Sequence, residues 1–419
     1  MTGNAVSVFL WGKEICKLQW VGGYKKGFGK IGAIVSFNKG YAESGLDLDP
    51  LGTFSTQYYF VKEGLSEWCR ATEYEGIPRF ISGSLPDEWG NSVFSAWAHS
   101  NKLKGSDITA VEKLGFIGSR GMGALEFVPS LYNVPAPDQI ILEELKEIAD
   151  SILELRKGAK LNINDNPGIN DLMAVGMSAG GMHPKAIIAM DQSTGEIRSG
   201  QILLPERFTH YILKFNDTPS WPSSELEYTY FKMAREGRIE MENSSLINIQ
   251  GKSHFLTERF DRKNGAKLHT TTLQAINGHT GDYESIFAVC RKLSLPYADF
   301  EQLFRRAVFD YVCGVCDNHD KNFSFILHPD GKWKLAPAYD LTFSVNVNNP
   351  FIYDRHYMTI AGQERNVTRN QLMELGEVND IRHPGLIIEE ICDAAKSLKD
   401  SCPGVVEQYI SSSLSRIAK

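Results

Sequence analysis

The stretch that most constrains this chain is GVCDNHDKNFSFILHPDGKWKLAPAYDL, residues 314–341, where polar side chains interrupt an apolar run. Asp317 and Asn322 come directly after an apolar, helix-like stretch, and Asp340 follows an apolar, strand-like segment. Burying such groups without partners costs free energy, so a fold must either pair them or turn them toward a common site. Their spacing therefore decides which chemistry this segment can support.

Asp317 and Asn322 have the spacing Asp-x4-Asn, and Asp340 follows a predicted hairpin whose turn is the PDG at 329–331. Phosphoryl transfer needs a carboxylate that accepts the proton of the attacking hydroxyl, and oxygen ligands that hold Mg²⁺ at the phosphates. We interpret Asp317 as this base, and Asn322 and Asp340 as the Mg²⁺ ligands. The alternative is a polar loop with an Asx-turn and a capping Asp, which the Asp-x4-Asn spacing alone does not exclude.

The remaining polar residues of this loop have secondary roles in the same interpretation. We expect His319 to orient the loop and Lys321 to contact the transferred phosphate. Asp320 is predicted to be only a solvated side chain.

A second glycine-rich segment, MSAGGMHPKAIIAM at 177–190, predicts a phosphate-binding turn, because small residues let backbone N–H groups approach phosphate oxygens. It is not a Walker A motif, since Met182 stands where that motif requires Lys. A strand follows the turn, which favours the strand–loop–strand flap of kinases. An ordinary hairpin turn is the alternative.

Two further segments fit a nucleotide site. Lys214 lies in mid-strand in HYILKF, where a buried Lys needs a partner, and Glu227 on the following helix is a candidate. In FLTERFDR, residues 255–262, Glu258 to Phe260 are candidates for a hinge whose backbone binds adenine. A solvent-facing Lys and a salt-bridged linker are the alternatives.

Three other motifs are interpreted as structural. GFGKIG at 27–32 precedes a strand and not a helix, so the dinucleotide-binding interpretation fails and a hairpin turn is expected. GSRGMGALEF at 118–127 is expected to be a structural turn. The CxxC of Cys313 and Cys316 lacks a second ligand pair, and we expect both to be small buried helix residues.

The chain has 419 residues, which predicts two or three domains. Strands are predicted in SVFLW, EICKLQW, GAIVSF, STQYYFV, DLMAVGMS, KAIIAMD, EIRSGQILL, HYILKF, SSLINIQ and HFLTERF. Helices are predicted at 90–104, at 138–157 and in SSELEYTYFKMAREG, with Ser223 or Ser224 as the N-cap of the last. After about residue 265 the pattern is mostly helical, apart from the strands FSFIL and WKLAP.

Charge and cysteine usage narrow the class of protein. The net charge of −7 argues against a chain whose own surface mainly binds nucleic acid. Seven scattered cysteines favour reduced thiols in a cytosol. The sequence shows no signal peptide and no apolar window long enough for a transmembrane helix, so we expect a cytoplasmic protein without membrane contact.

Several of these segments, in the same order, resemble the HipA-type serine/threonine kinases of bacterial toxin–antitoxin modules. They are HYILKF, the E-Y-x4-M-A helix, FLTERFDR, CDNHDKNFSF and LAPAYDL, and FISGSLPDEWGN and GSRGMGALEFVP look like that family's N-terminal subdomain. The resemblance implies an α+β, two-lobed, kinase-like fold with a mixed α/β N-terminal region and an all-α C-terminal region. It divides the chain into residues 1–130, a β-rich N-terminal subdomain, 131–262, a nucleotide-binding α/β subdomain, and 263–419, a helical subdomain with the catalytic loop.

The resemblance also implies ATP and Mg²⁺ as cofactors, with Asp317 as the catalytic Asp and Asn322 and Asp340 as metal ligands. Ser178 stands where the family carries an autophosphorylated Ser. The implied ATP-binding residues are Gly180, Gly181, Met182, His183, Lys185, Lys214, Glu258, Arg259, Phe260, His319, Lys321, Asn322, Tyr339 and Asp340.

The implied partners are a small helix-turn-helix antitoxin of the HipB type, operator DNA bound mainly through that antitoxin, and a protein substrate such as an aminoacyl-tRNA synthetase. Two alternatives stay open at this point. One is a small-molecule kinase of the aminoglycoside or choline type, which uses the same Asp-x4-Asn logic. The other is a catalytically weak ATP-binding co-repressor.

Overall fold

The computed structural model describes residues 4–22, 32–70, 73–103, 108–131, 139–156, 168–176, 181–218, 220–349 and 353–417. The chain forms two compact units. The first comprises Met1–Pro219, Ile247–Thr270 and Pro329–Gly331, and the second comprises Ser220–Leu246, Thr271–His328 and Lys332–Lys419. The three-part division expected from the sequence stays a prediction.

The elements follow one another as a mixture of strands and helices. The strands are β1 Ala5–Leu10, β2 Lys13–Val21, β3 Gly32–Phe37, β4 Ser66–Trp68, β5 Leu125–Val128, β6 Lys185–Asp191, β7 Ile197–Ser199, β8 Phe208–Lys214, β9 Ser244–Ile249, β10 Lys252–Glu258, β11 Arg262–Lys263, β12 Ala266–Lys267, β13 His269–Thr272, β14 Ser324–Leu327 and β15 Trp333–Leu335. The helices are α1 Lys39–Ala42, α2 Tyr59–Lys62, α3 Arg79–Ser82, α4 Glu88–Ser100, α5 Ala110–Ile117, α6 Leu142–Arg156, α7 Gly168–Gly176, α8 Ser223–Glu236, α9 Leu273–Asn277, α10 Tyr283–Lys292, α11 Tyr297–Cys313, α12 Arg369–Val378, α13 Pro384–Leu398 and α14 Gly404–Ile417. No helix among the described residues is both long and apolar enough to cross a bilayer.

The first unit contains two five-stranded sheets, with strand orders β4-β3-β2-β1-β5 and β7-β6-β8-β10-β9. In the second sheet, β6 pairs antiparallel with β8. Residues 186–189 of β6 are fully buried, which is typical of a strand covered on both faces. The predicted strands KAIIAMD, HYILKF and HFLTERF therefore lie side by side in one sheet.

Two predicted strands are wrong. The described part of DLMAVGMS, residues 171–176, belongs to helix α7, where Ile169, Leu172 and Met173 are buried with helical spacing and the helix packs on α4 and β6. A short, uniformly apolar run fits a buried strand and a buried helix equally well, so its pattern could not decide. STQYYFV contains the first three residues of α2 and no strand, because tertiary packing of Phe60 on Phe37 and Phe54 overrides the strand propensity of its aromatic residues.

The strands on either side of GFGKIG pair antiparallel, from Cys16↔Phe37 to Val21↔Gly32. Most of the glycine-rich motif itself lies outside the described residues. A hairpin connection between β2 and β3 is thus confirmed from its two flanking strands.

A buried ion cluster holds the end of β10 against the loop that precedes β5. The Arg259 guanidinium donates two hydrogen bonds to the two carboxylate oxygens of Asp261, each at 2.8 Å, and all three side chains of Arg259, Asp261 and Arg262 are buried. Arg262 donates to the carbonyl oxygens of Gly121 and Gly123, and the Gly123 N–H donates to Asp261 Oδ2 at 2.7 Å. This cluster explains GSRGMGALEF, whose glycines present backbone groups to buried charges.

In the second unit, helix α11 packs against α13 and α14, and α13 packs against α8. The ring of Tyr230 on α8 meets that of Phe309 on α11 edge to face, with 6.0 Å between their centroids. Helix α8 begins after Pro222, which occupies the N-cap position predicted for Ser223 or Ser224. In the small sheet β13-β14-β15, β14 and β15 are the strands predicted as FSFIL and WKLAP, whereas β13 was not predicted.

We expect Asp261→Asn to destabilise the first unit by about 3–5 kcal/mol, because it leaves two buried guanidinium groups without a compensating carboxylate. Burial opposes ionisation of Asp261, but Arg259 and Arg262 outweigh it and hold the pKa of this carboxyl far below its usual range. A depressed pKa means that the stabilisation is present above the ordinary carboxyl pKa and is lost as the pH falls through the folded-state value. Urea denaturation at neutral pH measures the difference.

The matched control is Asp400→Asn, which removes an exposed carboxylate paired with Lys399. Exposed ion pairs contribute about 0–1 kcal/mol, so this variant should unfold close to the wild type. An Asp261→Asn protein that unfolds at the same urea concentration as this control would contradict the structural role of the cluster.

Candidate active site

Helix α11 ends at Gly314, a position that only glycine can occupy. Gly314 has φ 71° and ψ 39°, the left-handed conformation that terminates many helices. A Cβ added here would lie 2.8 Å from Cε1 of Tyr409 and 3.0 Å from Cγ2 of Val345. Backbone conformation and space together therefore fix where the helix ends and where the Asp-rich loop begins.

Side chains of this loop alternate between exposed and buried. Asp317 is exposed, with 70% of its side-chain area accessible, whereas Asn318 and Asp320 are each 2% exposed. The Asp317 N–H donates to Ser344 Oγ at 2.9 Å, so the backbone is held while the carboxylate stays accessible. His319 Nε2 lies 3.9 Å from Asp317 Oδ1.

Asp320 is not the solvated side chain that the sequence suggested. Its Oδ1 accepts hydrogen bonds from the N–H and the hydroxyl of Thr280, at 3.0 and 2.5 Å. Its Oδ2 accepts from the Tyr357 hydroxyl and lies 3.2 Å from His279 Nδ1. Because both oxygens of this buried carboxylate accept hydrogen bonds, Asp320 anchors the loop to the segment before α10.

Hydrogen bonds within the loop fix the amide of Asn322. Its Nδ2 donates to the Asp317 carbonyl at 2.8 Å, and its N–H donates to the His319 carbonyl at 2.8 Å. His319 Nδ1 in turn accepts from the Lys321 N–H at 3.2 Å. The role predicted for His319 in orienting the loop is consistent with this bond, and the Asn322 amide oxygen keeps a defined direction.

The segment that carries Asp340 is tied directly to the loop. The Tyr339 hydroxyl donates to the Lys321 carbonyl at 2.7 Å and lies 2.6 Å from Ser324 Oγ. Asp340 itself has φ +60°, a left-handed conformation that Asp tolerates better than most residues. Asn322 and Asp340 consequently line one narrow pocket, together with Arg306, Asp310, Val315, Asn318, Phe323, Ala338, Tyr339 and Leu341.

This pocket has the donor atoms that a hard divalent cation prefers. Asn322 contributes an amide oxygen and Asp340 a carboxylate, both common Mg²⁺ ligands. Mg²⁺ usually binds through one or two such protein groups and completes its shell with water and phosphate oxygens. In the part of the chain that the structure describes, no three His, Cys, Asp or Glu side chains form a dedicated metal cage.

In the first unit, the glycine-rich turn before β6 is anchored by the start of α4. The Gly181 N–H donates to Asp87 Oδ2 at 3.0 Å, and the Gly181 carbonyl accepts from the Trp89 N–H at 3.1 Å. The Trp89 indole N–H donates to the Lys185 carbonyl at 2.8 Å. Asp87 and Trp89 belong to FISGSLPDEWGN, so this motif supports the turn physically.

Exposed side chains of the same turn reach neighbouring elements. Met182 is 55% exposed, and its carbonyl accepts a hydrogen bond from Arg156 at 3.0 Å. His183 Nδ1 lies 3.1 Å from Asp217 Oδ2. Gly180 and Ser178 lie outside the described residues, so the predictions made for them stay as they were.

Two lysines stand side by side at the end of this sheet. Lys185 on β6 and Lys214 on β8 are direct cross-strand partners, and like charges in that arrangement destabilise a sheet. A Cβ added at Gly181 would lie 2.7 Å from Lys185 Nζ, so this ammonium group approaches the turn. Glu227, the predicted partner of Lys214, belongs to the other unit.

Part of the predicted adenine hinge, Arg259, makes its contacts within the protein. The Arg259 side chain is buried in the ion cluster with Asp261, and its N–H donates to the His210 carbonyl at 2.9 Å. Glu258 and Phe260 are half-buried. An adenine contact in this segment is therefore left to Glu258 and Phe260 and to the Arg259 carbonyl.

Sequence reasoning missed the buried residues beneath the loop. Asp310 is 1% exposed and its Oδ2 accepts hydrogen bonds from the Tyr283 hydroxyl and, at 3.0 Å, from Asn318 Nδ2. Arg306, one helical turn earlier, is 2% exposed. A signal was present, since two charges one turn apart lie on the apolar face of RRAVFDYVCGV.

Comparisons with known proteins identify the family and the fold of this chain. The family model described as the HipA-like C-terminal domain matches residues 177–399, which is more than half of the chain and includes every candidate residue from Gly180 to Asp340. A Haemophilus influenzae protein named "Putative kinase" is 26% identical over 186 residues, 39% of this chain and 52% of that protein. A "Putative kinase" of Sinorhizobium fredii is 28% identical over 166 residues, 35% of this chain and 39% of that protein.

The matched regions thus cover about half or less of these two relatives. Among solved structures, the Shewanella oneidensis toxin–antitoxin complex of HipA, HipB and operator DNA contains a chain with a TM-score of 0.63 and 16% identity. That match covers 98% of this chain and 95% of the other. The chain therefore has the HipA fold, and the α+β class expected from the sequence is confirmed.

We expect Asp310→Asn to be more heat-stable than the wild type at pH 8, with an advantage that shrinks toward pH 5. Burial raises the pKa of the Asp310 carboxyl from 3.8 to about 7, although Tyr283, Asn318 and Arg306 lower it. The folded state therefore holds this proton more tightly than the unfolded chain, so wild-type stability falls as the pH rises from about 4 through 7. Melting temperatures of both proteins across this range test the sign, and an advantage that does not change with pH would contradict it.

Proposed function

Because the chain belongs to the family defined by the HipA-like C-terminal domain, we propose that it is an ATP-dependent protein serine/threonine kinase that acts as the toxin of a HipA/HipB-like module. One observation carries this proposal. Asn322 and Asp340 line a common pocket, and the exposed carboxylate of Asp317 belongs to the loop that the Asn322 amide closes. The names of the two curated relatives and the kinase-like spacing of these residues support it.

In this mechanism Asp317 accepts the proton of a substrate Ser or Thr hydroxyl as the oxygen attacks the terminal phosphate. Its exposure leaves room for a protein segment to approach, and the bonds to Ser344 and Asn322 fix its backbone. Bound Mg²⁺, held by Asn322 and Asp340, would neutralise charge on the phosphates. Lys321 contacts the transferred group, and His319 and Tyr339 keep the loop in place.

The first unit supplies the groups that we assign to the nucleotide. The cross-strand pair of Lys185 and Lys214 suits an anionic ligand, since a phosphate near both residues would offset the repulsion between two like charges. The backbone of Gly180, Gly181, Met182 and His183 would face the phosphates, as glycine-rich turns do. Glu258, Arg259 and Phe260 are assigned to adenine through their backbone, and Ser178 to autophosphorylation.

The proposed partners follow from family membership. A small helix-turn-helix antitoxin of the HipB type would bind this chain and carry the contacts to operator DNA, in line with the complex described for the Shewanella relative. The net charge of −7 fits a chain that does not itself grip DNA over a large surface. The proposed phosphate acceptor is a cytoplasmic protein such as an aminoacyl-tRNA synthetase.

We expect Asp317→Asn to reduce phosphate transfer by about 10²–10⁴-fold, the usual contribution of a positioned base, without loss of fold. The measurement is transfer of labelled γ-phosphate to the protein itself and to proteins of a bacterial lysate. The small-molecule filtrate of the same lysate serves as a competing acceptor pool. Labelling confined to the filtrate would contradict a protein kinase.

Asp400→Asn is the matched control, because Asp400 has a similar side-chain exposure of 77% against 70% for Asp317. This control should transfer phosphate at the wild-type rate. Near wild-type labelling by Asp317→Asn would refute its assignment as the base.

We expect Asp340→Asn to raise the Mg²⁺ concentration needed for half-maximal transfer by at least roughly 10–100-fold, since even the loss of a partner that only orients a metal ligand has this cost. Asn tolerates the left-handed backbone of this position, so the fold should persist. Asp380→Asn is the control, since Asp380 is exposed and has φ +57°. A titration of transfer rate against Mg²⁺ that is identical for both variants would remove Asp340 from the metal site.

A further inference from the structure

Two buried charges on helix α11 lie one helical turn apart, and each contacts a different segment of the candidate active site. Asp310 Oδ2 accepts a hydrogen bond from Asn318 Nδ2 at 3.0 Å. Arg306 Nη2 donates to the Ala336 carbonyl at 2.5 Å. Asn318 is the residue after Asp317, and Ala336 lies on the stretch that leads from β15 to Asp340.

Asn318 is held from both sides. Its Nδ2 is bound to Asp310, and its Oδ1 accepts from the Met358 N–H at 3.0 Å. The Tyr283 hydroxyl donates to the same Asp310 oxygen, so the first turn of α10 contributes to the same cluster. The backbone that carries Asp317 is consequently fixed relative to α11, α10 and the segment around Met358.

The same two charges are costly for the fold. Asp310 Oδ1 and the Nε and Nη1 groups of Arg306 are buried and have no hydrogen-bond partner among the described residues. These side chains line the pocket that Asn322 and Asp340 also line. Buried polar groups without partners cost about 1–3 kcal/mol each, and such groups in native proteins often mark functional sites. Two apolar residues would pack here at lower cost, so a role in stability alone does not explain the pair.

We propose that Arg306 and Asp310 are positioning residues for phosphoryl transfer, which set the separation between the loop that carries Asp317 and the segment that carries Asp340. A rigid helix is suited to this role, because the rise between residues four apart is fixed at about 6 Å by the 1.5 Å rise per residue. Neither residue touches the reacting atoms in this proposal. The expected effect on the transfer rate rests on the proposed kinase function. The expected effect on the positions of the two segments does not depend on that function.

The test compares Asp310→Ala, Asp310→Asn and Arg306→Met with a matched control, Arg305→Met. Arg305 is adjacent in sequence and 4% exposed, but its guanidinium binds Glu301, Glu390 and the Gly237 carbonyl. The control therefore removes a buried arginine from the same helix without touching either catalytic segment. Melting temperature reports the fold of each variant, and ATP affinity is measured separately from the transfer rate.

We expect Asp310→Ala and Arg306→Met to slow phosphate transfer at saturating ATP by about 10–100-fold, because small displacements of reacting groups have this cost. ATP affinity should stay within about threefold, since neither residue contacts the nucleotide. Asp310→Asn keeps an acceptor for Asn318 and Tyr283 and should recover most of the rate. Arg305→Met should lower the melting temperature and leave the rate close to that of the wild type.

Hydrogen exchange provides a measurement that needs no activity. Asp310→Ala should accelerate exchange of the amides in residues 317–322, and Arg306→Met in residues 336–341, whereas Arg305→Met should alter neither. Unchanged exchange in both segments, or equal changes in the control, would overturn the proposal. A wild-type protein that transfers no phosphate would refute the proposed function, and the exchange data would still decide whether this pair positions the two segments.

Discussion

The geometry of the candidate site depends on the hydrogen bonds of the Tyr339 hydroxyl. Tyr339 donates to the Lys321 carbonyl and lies against Ser324 Oγ, so the end of one segment is tied to the middle of another. Together with the β14–β15 hairpin and the contacts of Arg306 and Asp310, this link holds the stretches that carry Asn322 and Asp340. The bond draws both side chains to one pocket, and the left-handed backbone at Asp340 lets the chain turn there.

Much of the fold could be predicted from the alternation of apolar and polar residues and from the turn residues in the sequence. KAIIAMD and HYILKF form neighbouring strands, and the PDG turn lies between β14 and β15, which pair antiparallel. The strand prediction for the segment that forms α7 was wrong because its hydrophobic pattern does not distinguish a helix from a strand. In α7 nearly every side chain is buried, so a helix and a strand have the same apolar signature, and only packing on α4 and β6 decides.

The exposed residues of the candidate site could be predicted from the sequence, whereas the buried residues that support them could not. Spacing alone predicted that Asn322 and Asp340 lie together, because a kinase-like loop constrains the separation of its base and its metal ligands, and the two residues do line one pocket. The burial of Asp320 was missed because nothing local reveals that Thr280, 40 residues earlier in the chain, supplies two of its hydrogen-bond donors. Long-range partners of this kind become visible only when the chain is folded.

In the proposed mechanism, the Asp340 carboxylate and the Asn322 amide share one Mg²⁺ at the phosphates of ATP, and the Asp317 carboxylate faces the terminal phosphate. A crystal structure with Mg²⁺ and a non-hydrolysable ATP analogue tests this most directly. The account predicts oxygens of Asn322 and Asp340 at about 2.0–2.1 Å from one Mg²⁺, with Asp317 facing the γ-phosphate. A nucleotide bound elsewhere, or a cation that contacts neither side chain, would contradict it.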